Sequence, residues 1–117
     1  MKHQIASRMK RMALETIQLV QLLPQSETTR ILGKQLIRAA TSVGANYRAA
    51  CKAKSRPDFI AKIAIAEEEA DETKYWLELL QEAGLISTER FIPLYEEANQ
   101  LTAILAASAK TAKKNRN

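Results

Sequence analysis

Prolines and glycines are rare in this chain, and half of them stand where long helical patterns stop. Its 117 residues contain three of each. Pro24, Pro57 and Gly84 separate stretches in which apolar residues recur every three or four positions, the period of an amphipathic helix. A proline disfavours helical backbone in the residue before it, and a glycine readily adopts the left-handed conformation that ends a helix. One domain of four helices over residues 1–117 is therefore expected.

The first three helices have boundaries that local residues predict. The first is expected from near residue 3 to about Leu23. The second begins at Ser26, a good N-cap, and its apolar pattern persists to about Lys54. The third begins after an N-cap at Ser55, has a proline in its first turn, and ends at Gly84.

A fourth helix is predicted to follow Ser87 or Thr88. Pro93 is tolerated there only if the first turn starts near Phe91 or if the helix is kinked. From about residue 110 the chain is basic and nearly free of apolar residues, so this tail is expected to fray. Long helices with short loops are typical of an antiparallel up-down-up-down four-helix bundle, so the predicted fold class is all-α.

The residues that build common catalytic and metal sites are scarce. Cys51 is the one cysteine, so no disulfide can form within the chain. Di-iron bundles use Glu-x-x-His pairs on two helices, whereas the one histidine, His3, is far from the acidic run at 67–72. No phosphate loop, nucleophile elbow or apolar run of membrane-spanning length is visible. We therefore expect a cytoplasmic protein with no catalytic residues, no metal site and no cofactor.

Charge is distributed unevenly along the chain, whose formal net charge is +5. Seven cations and one acid give residues 26–56 a net charge of +6. Two cations and eight acids give residues 57–83 a net charge of −6. Opposite blocks of this kind can pair within a fold or present different faces to different partners.

Five cations of the second helix fall on one side of it, roughly opposite its apolar stripe. At 100° per residue they lie within an arc of about 80° and span about 33 Å of the helix axis. We call this set the basic face; its members are Arg30, Lys34, Arg38, Arg48 and Lys52. A strip of cations without acids is suited to a nucleic-acid backbone, whereas a merely solvated face usually mixes signs. Binding and simple solvation both stay open at this point.

The third helix has a second apolar side besides its core stripe. Ile65, Trp76 and Leu79 fall within about 60° of one another, interleaved with Glu69 and Glu72. A helix that is apolar on two sides buries both. We predict that this side is an interface between copies of the chain. The alternative is that an irregularity of the fold buries Trp76 within one chain.

A polar ridge borders the apolar stripe of the second helix, because Arg38, Ser42 and Asn46 are spaced four residues apart. A half-buried asparagine needs hydrogen-bond partners, and the third helix offers carboxylates. The candidates are Glu68, Glu69 and Glu72. We call the ridge together with Glu68 and Glu72 the polar seam, and predict that it fixes the register between two helices or two subunits.

Four runs of residues carry a resemblance to a known family. They are I-R-A-A-T-S-V-G-A-N-Y-R-A-A at 37–50, K-S-R-P-D-F-I at 54–60, E-E-E-A-D-E-T-K-Y-W-L-E-L-L at 67–80 and E-A-G-L-I at 82–86. The most recognisable piece, R-A-x-x-S-x-x-x-N, is here Arg38, Ala39, Ser42 and Asn46. Together these runs resemble the bacterial four helix bundle protein family, also called 23S rRNA-intervening-sequence proteins.

The resemblance implies a short antiparallel bundle that assembles as a ring, typically a homopentamer. The family is itself similar to the accessory variability proteins of diversity-generating retroelements, which are basic pentamers that bind a reverse transcriptase and nucleic acid. From this resemblance we expect a homo-oligomer whose partners are RNA or DNA and a protein such as a reverse transcriptase. No membrane contact is expected.

Residues and resemblance together favour a non-enzymatic bundle that binds RNA, DNA or a nucleoprotein through the basic face. Its cations would neutralise phosphates rather than read bases. Basic residues near the two ends are expected to help; they are Lys2, Arg8, Lys10, Arg11, Lys110, Lys113, Lys114 and Arg116. The alternative is a scaffold or adaptor ring that binds a protein, with the basic face solvating the surface or pairing with the third helix of a neighbour.

Overall fold

The computed structural model describes residues 2–115, and within them it contains four α-helices and no strand. They are α1 (Lys2–Gln21), α2 (Glu27–Cys51), α3 (Arg56–Glu82) and α4 (Thr88–Lys114). The predicted all-α class and the predicted number of helices are confirmed.

Helices α2 and α3 begin at the predicted serine caps. Ser26 Oγ accepts a hydrogen bond from the Thr29 N–H at 3.1 Å, and Thr29 Oγ1 accepts one from the Ser26 N–H at 3.1 Å. This reciprocal pair is a capping box and satisfies two donors of the first turn. Ser55 Oγ accepts from the Asp58 N–H at 3.2 Å, and Pro57 lies in the first turn of α3, where a missing N–H costs nothing.

Gly84 ends α3 as the sequence predicts. Its φ angle of 75° lies in the left-handed region, where a side chain would be strained. The Gly84 N–H donates to the Gln81 carbonyl at 3.0 Å, and the Leu85 N–H donates to the Leu80 carbonyl at 2.9 Å. These two bonds form a Schellman motif, which satisfies carbonyls that the helix end would otherwise leave without partners.

Helices α1 and α2 are shorter than predicted. α1 ends at Gln21 rather than Leu23 because the Leu22 and Leu23 N–H groups bond three residues back, to the Leu19 and Val20 carbonyls. The last turn therefore tightens before Pro24. Similarly, α2 ends at Cys51 rather than near residue 54.

Helix α4 starts at Thr88 after an N-cap at Ser87, as predicted. It holds Pro93 in its interior. Proline cannot donate to the carbonyl four residues back, which belongs to Glu89. Both residues are exposed, so water can satisfy that carbonyl. The helix continues to Lys114. Fraying of the tail from about residue 110 stays a prediction.

The helices pack side by side in a rod of 51 × 21 × 21 Å. Each helix contacts two others, with α1 and α3 both lying against α2 and α4. Every helix contributes one apolar stripe to a core that runs along the rod. Its largest fully buried side chains include Met9, Met12, Leu36, Ile63, Leu77, Leu80, Leu101 and Leu105.

Two glycines of α2 let α1 approach closely. A Cβ added to Gly33 would lie 2.9 Å from Val20 Cγ1, and one added to Gly44 would lie 3.5 Å from Met9 Cβ. Because glycine has no side chain there, the two backbones form a narrow seam, which we call the α1–α2 seam. The basic face lies next to it.

Candidate nucleic-acid interface

Four cations of the basic face project from α2 into solvent. Arg30, Lys34, Arg48 and Lys52 are all exposed. Within residues 2–115 none of them forms an ion pair with an acidic side chain. Their positive charges are therefore available to an anionic ligand.

Arg38, the fifth predicted member, is held by α3. Its Nη1 donates to both carboxylate oxygens of Glu69 at 3.2 Å, and its Nη2 donates to Glu72 Oε1. Its Nε donates to Gln35 at 3.2 Å. These charge-assisted bonds raise the pKa of Arg38, chiefly through the bond to Glu72. Arg38 therefore bridges two helices. The other four cations of the basic face are the ones that can meet a ligand.

Of the two carboxylates predicted for the polar seam, Glu72 contacts Arg38 and Glu68 does not. Glu68 is exposed and makes no side-chain hydrogen bond or ion pair with other residues in the described part of the chain. Glu69, the third candidate, joins Glu72 in holding Arg38. By the helical period, Glu68 and Glu69 lie on opposite sides of Glu72, and Arg38 meets the side that carries Glu69.

Asn46 contributes to the polar seam only within its own helix. Its Nδ2 donates to the Ser42 carbonyl at 2.9 Å, which lies one turn earlier on α2. Both residues are half-buried. Within the described residues Asn46 makes no hydrogen bond to a carboxylate of α3, and its contact with a carboxylate of another subunit stays a prediction. The link between α2 and α3 runs through Arg38.

Trp76 lies at the end of the same network. It is half-buried, packs against the core, and donates from Nε1 to Glu72 Oε1 at 3.0 Å. Its ring meets Tyr75 edge-on, with centroids 5.2 Å apart. Part of the indole is thus covered within one chain, and the contribution of Trp76 to an interface between chains stays a prediction.

The remaining apolar residues on this side of α3 are open to solvent to different degrees. Ile65 is 41% exposed and Tyr75 is 53% exposed, whereas Leu79 is half-buried. We call Ile65, Tyr75, Trp76 and Leu79 the outer face of α3. A contact between copies of the chain through this face stays a prediction.

The network shifts the acidity of Glu72. The indole N–H of Trp76, with help from the guanidinium of Arg38, lowers the pKa of Glu72 below its ordinary value. Both groups stabilise the charged carboxylate because they donate hydrogen bonds to it. Glu72 therefore stays ionised to lower pH than an ordinary glutamate.

The basic residues near the chain ends divide into paired and unpaired groups. Arg8 donates to both oxygens of Glu97 on α4, at 2.9 and 2.7 Å, so it holds two helices together. The other predicted helpers within the described residues are exposed; they are Lys2, Lys10, Arg11, Lys110, Lys113 and Lys114. Arg116 lies outside the described residues.

Two cavities open along the α1–α2 seam, and each is lined by two exposed cations. The larger, of about 520 Å³, lies at the α1–α2 turn and includes Arg30 and Lys34. The smaller, of about 220 Å³, lies farther along and includes Lys10 and Arg48. Lys10 thus extends the basic face onto α1.

Comparison with known proteins identifies the family. The family model described as 23S rRNA-intervening sequence protein matches residues 1–107. The chain belongs to the 23S rRNA-intervening sequence protein family. The resemblance carried by the four sequence runs is therefore confirmed.

A solved structure of the S23 ribosomal protein family is similar to the present chain over nearly its whole length. It is a Bacteroides thetaiotaomicron protein described as having unknown function, with 34% sequence identity and a TM-score of 0.85. The match covers 91% of this chain and 98% of that one. The comparison with curated proteins finds no match.

Residues 2–115 of this family member contain neither a metal-binding cluster nor a membrane-spanning helix. No three or more His, Cys, Asp or Glu side chains are grouped so that they could hold a metal ion. No helix in that range combines the length and apolar character needed to cross a membrane.

Sequence reasoning missed the cavities, and it named Lys10 as a helper near the chain end without placing it beside Arg48. Small residues line the smaller cavity, and three of them, Ala13, Gly44 and Ala45, are visible in the sequence as positions where helices can approach closely. What the sequence did not indicate is which helix approaches them. Once α1 is known to lie against α2, Lys10 and Arg48 fall on the same cavity.

Proposed function

We propose that this protein is a non-enzymatic helical bundle that binds RNA or DNA through Arg30, Lys34, Arg48 and Lys52. The observation that carries the proposal is that these four cations share one exposed side of α2 and have no acidic partner within residues 2–115. By contrast, Arg8 and Arg38 are both engaged by carboxylates of other helices. The chain thus leaves cations unneutralised on one surface while neutralising others.

The placement of acidic residues supports the same surface. Helices α1 and α2 contain one acidic residue each, Glu15 and Glu27, whereas α3 contains eight. A polyanion is therefore attracted to the α1–α2 side of the bundle and repelled from α3. Lysine and arginine side chains spaced along a helix neutralise successive phosphates and release the counterions condensed on them, which makes such binding depend steeply on salt.

The experiment is a titration of a fluorescent single-stranded oligonucleotide followed by anisotropy over a range of salt concentrations. We expect the logarithm of the binding constant to fall linearly with the logarithm of salt concentration. Replacing Arg30 and Lys34 with glutamine removes two phosphate contacts, which lowers the slope by about 1.4 for a single strand. Absence of binding at low salt, or a flat slope, contradicts the proposal.

A charge-matched control separates this surface from net charge. The variant Lys62→Gln with Arg90→Gln also removes two positive charges, but from α3 and α4. Lys62 already pairs with Asp58 at 3.5 Å. We expect this control to keep nearly the wild-type slope. Equal losses in the two variants would mean that total charge, rather than the basic face, governs binding.

We also propose that the four helices run up-down-up-down in one bundle. Two contacts between α3 and α4 support this order. Lys74 Nζ donates to Asn99 Oδ1 at 3.1 Å, and Tyr95 Oη donates to Glu78 Oε2 at 2.8 Å. Moving four residues forward along α3 thus corresponds to moving four residues back along α4, which is the pairing of antiparallel neighbours.

The same proposal includes self-association through the outer face of α3, with a homopentameric ring as the expected form. Ile65 and Tyr75 are large apolar side chains that one chain leaves substantially exposed on the same helix. Exposed apolar residues grouped on one side of a helix are suited to contact with another protein surface. A ring would present several copies of the basic face to one nucleic-acid strand and so raise its apparent affinity.

A protein-binding scaffold is the second candidate, because Arg38 is neutralised by Glu69 and Glu72 rather than left for a polyanion. In that case the outer face of α3 binds a different protein, such as a reverse transcriptase, and no nucleic acid is contacted directly. Purified protein that binds no oligonucleotide at low salt, but is retained by a purified reverse transcriptase, would favour the scaffold.

A further inference from the structure

The cavity at the α1–α2 turn combines an apolar wall with two cations. Val20 and Leu23 line it from α1 and the turn, and Ile37 lines it from α2. Arg30 and Lys34 stand one helical turn apart on the same side. Its volume of about 520 Å³ falls within the range typical of small-molecule sites, about 300–1,000 Å³.

Arg30 and Lys34 are the groups that can bind an anion in this cavity, because the backbone donors that line it at the start of α2 already have partners. The Ser26 N–H and the Thr29 N–H are both occupied by the capping box. The Thr29 hydroxyl donates to the Pro24 carbonyl at 2.5 Å. An anion entering the cavity therefore meets Arg30 and Lys34 rather than the amides of Ser26 and Thr29, the residues of the first turn that line it.

A nucleotide has the chemistry that this arrangement accepts. Its base can lie against the apolar wall of Val20, Leu23 and Ile37, while its phosphate is neutralised by the two cations. The side chain amide of Gln25, which is exposed and also lines the cavity, offers a donor and an acceptor for the edge of a base. A bare phosphate would use the cations and leave the apolar wall unoccupied.

The second cavity indicates that the ligand is a chain of nucleotides rather than a single nucleotide. Lys10 and Arg48 flank it on the same α1–α2 seam. Arg48 is 18 residues from Arg30, which is about 27 Å along α2. In a duplex the bases are stacked and paired inside the helix, so they cannot enter either cavity. Unpaired strands expose their bases, so a base of such a strand can enter a cavity that paired bases do not reach.

We propose that the α1–α2 seam binds an unpaired strand of RNA or DNA, with one base seated in the cavity at the α1–α2 turn. This inference rests on the proposed function, because it assumes that the basic face meets a nucleic acid. It adds that bases contribute to binding and that a paired duplex is disfavoured.

The first test compares three probes of equal length on the wild-type protein: an oligouridylate, the same backbone without bases, and a duplex. We expect the base-bearing strand to bind about fivefold more tightly than the abasic strand, as burial of one base against apolar side chains predicts. The duplex should bind more weakly than the oligouridylate at equal salt. An abasic strand or a duplex that binds as tightly as the oligouridylate overturns the inference.

The second test changes the cavity wall without changing charge. Ile37→Gln makes the wall polar at similar side-chain length, and Ile31→Gln on the same helix is the matched control because Ile31 is 57% exposed and lies outside the cavity. We expect Ile37→Gln to lose about fivefold in affinity for oligouridylate and nothing for the abasic strand, with an unchanged salt slope. Circular dichroism verifies that both variants are folded.

The outcomes distinguish this inference from the proposed function. If no probe binds at low salt, both fail. If all three probes bind with the same affinity and salt slope, and Ile37→Gln behaves like Ile31→Gln, then the basic face binds polyanions but the cavity does not receive a base.

Discussion

Arg8 on α1 donates hydrogen bonds to both carboxylate oxygens of Glu97 on α4, at 2.9 and 2.7 Å. Its Nη2 also donates to Gln100 at 2.8 Å, one turn from Glu97. The two charged side chains are each about three-quarters buried, with 27% and 24% of their surface exposed. This bidentate pair therefore connects the first helix to the last and belongs to the bundle rather than to the nucleic-acid surface.

Removal of this pair is expected to destabilise the fold. Arg8→Ala should lower the free energy of unfolding by about 1 kcal/mol, because a bidentate and partly buried ion pair exceeds the usual surface value. Urea denaturation followed by circular dichroism measures it. Arg11→Ala, on the same helix and exposed, is the control and should change stability little. The interpretation is wrong if both variants unfold at the same urea concentration.

The network of Arg38, Glu72 and Trp76 predicts a pH dependence of stability. The pKa of Glu72 is lowered in the folded state, first by the Trp76 indole and then by Arg38. The stability that this shift contributes is fully present above the ordinary glutamate pKa of about 4.3, and is lost as the pH falls through the lowered pKa of the folded state. Stability should therefore decline as the pH falls below about 4.3 and through the lowered pKa of Glu72.

Two variants isolate that contribution. Glu72→Gln keeps an acceptor for the indole but removes the charge, so its free energy of unfolding should decline less steeply with acid than that of the wild type. Glu68→Gln, on the same helix and exposed, should follow the wild-type curve. Fluorescence of Trp76, the one tryptophan, reports titration in the native state. Identical acid profiles for Glu72→Gln and the wild type would contradict the assignment.

The two glycines of α2 that face α1 should respond oppositely to the same substitution. Gly44→Ala places a Cβ at an ordinary 3.5 Å from Met9 Cβ and should raise stability by about 0.5–1 kcal/mol through helix propensity. Gly33→Ala places one at 2.9 Å from Val20 Cγ1. Valine is stiff in a helix, so overpacking outweighs propensity and stability should fall by about 1 kcal/mol. Thermal unfolding of both variants measures the difference, and equal shifts would contradict the packing argument.

The helix starts and one helix stop were predictable because their causes lie within a few residues of sequence. Ser26 and Ser55 cap backbone N–H groups three residues ahead, and Gly84 adopts the left-handed backbone that closes α3. Ser87 likewise caps α4, as predicted, and Pro93 is tolerated inside that helix because only one hydrogen bond is lost, at an exposed position.

The candidate site was less predictable because it depends on which side chains meet between helices. The arc of five cations on α2 follows from the helical period, but the period does not indicate that Arg38 faces Glu69 and Glu72. The register between α2 and α3 determines which carboxylates Arg38 meets. Likewise, Lys10 belongs with Arg48 only because α1 lies against α2. The helical period of the cations therefore predicts where the basic surface lies. The packing between helices determines which residues belong to it.

Self-association through the outer face of α3 gives the last prediction. Trp76 is a poor probe of it, because this residue also packs against the core of its own chain and bonds to Glu72. Ile65 is a better probe of self-association, since it is 41% exposed and its replacement leaves the core intact. We expect the wild type to scatter light as an oligomer and Ile65→Glu to shift toward one chain, because a buried contact would desolvate the new carboxylate.

The matched control for that variant is Leu14→Glu, which introduces the same charge at a side chain of α1 that is 53% exposed. It should leave the mass of the oligomer unchanged. Circular dichroism of both variants should match the wild type, since neither residue belongs to the buried core. A wild type that scatters as a single chain contradicts self-association itself. An oligomer that survives Ile65→Glu but dissociates with Leu14→Glu moves the interface from α3 to α1.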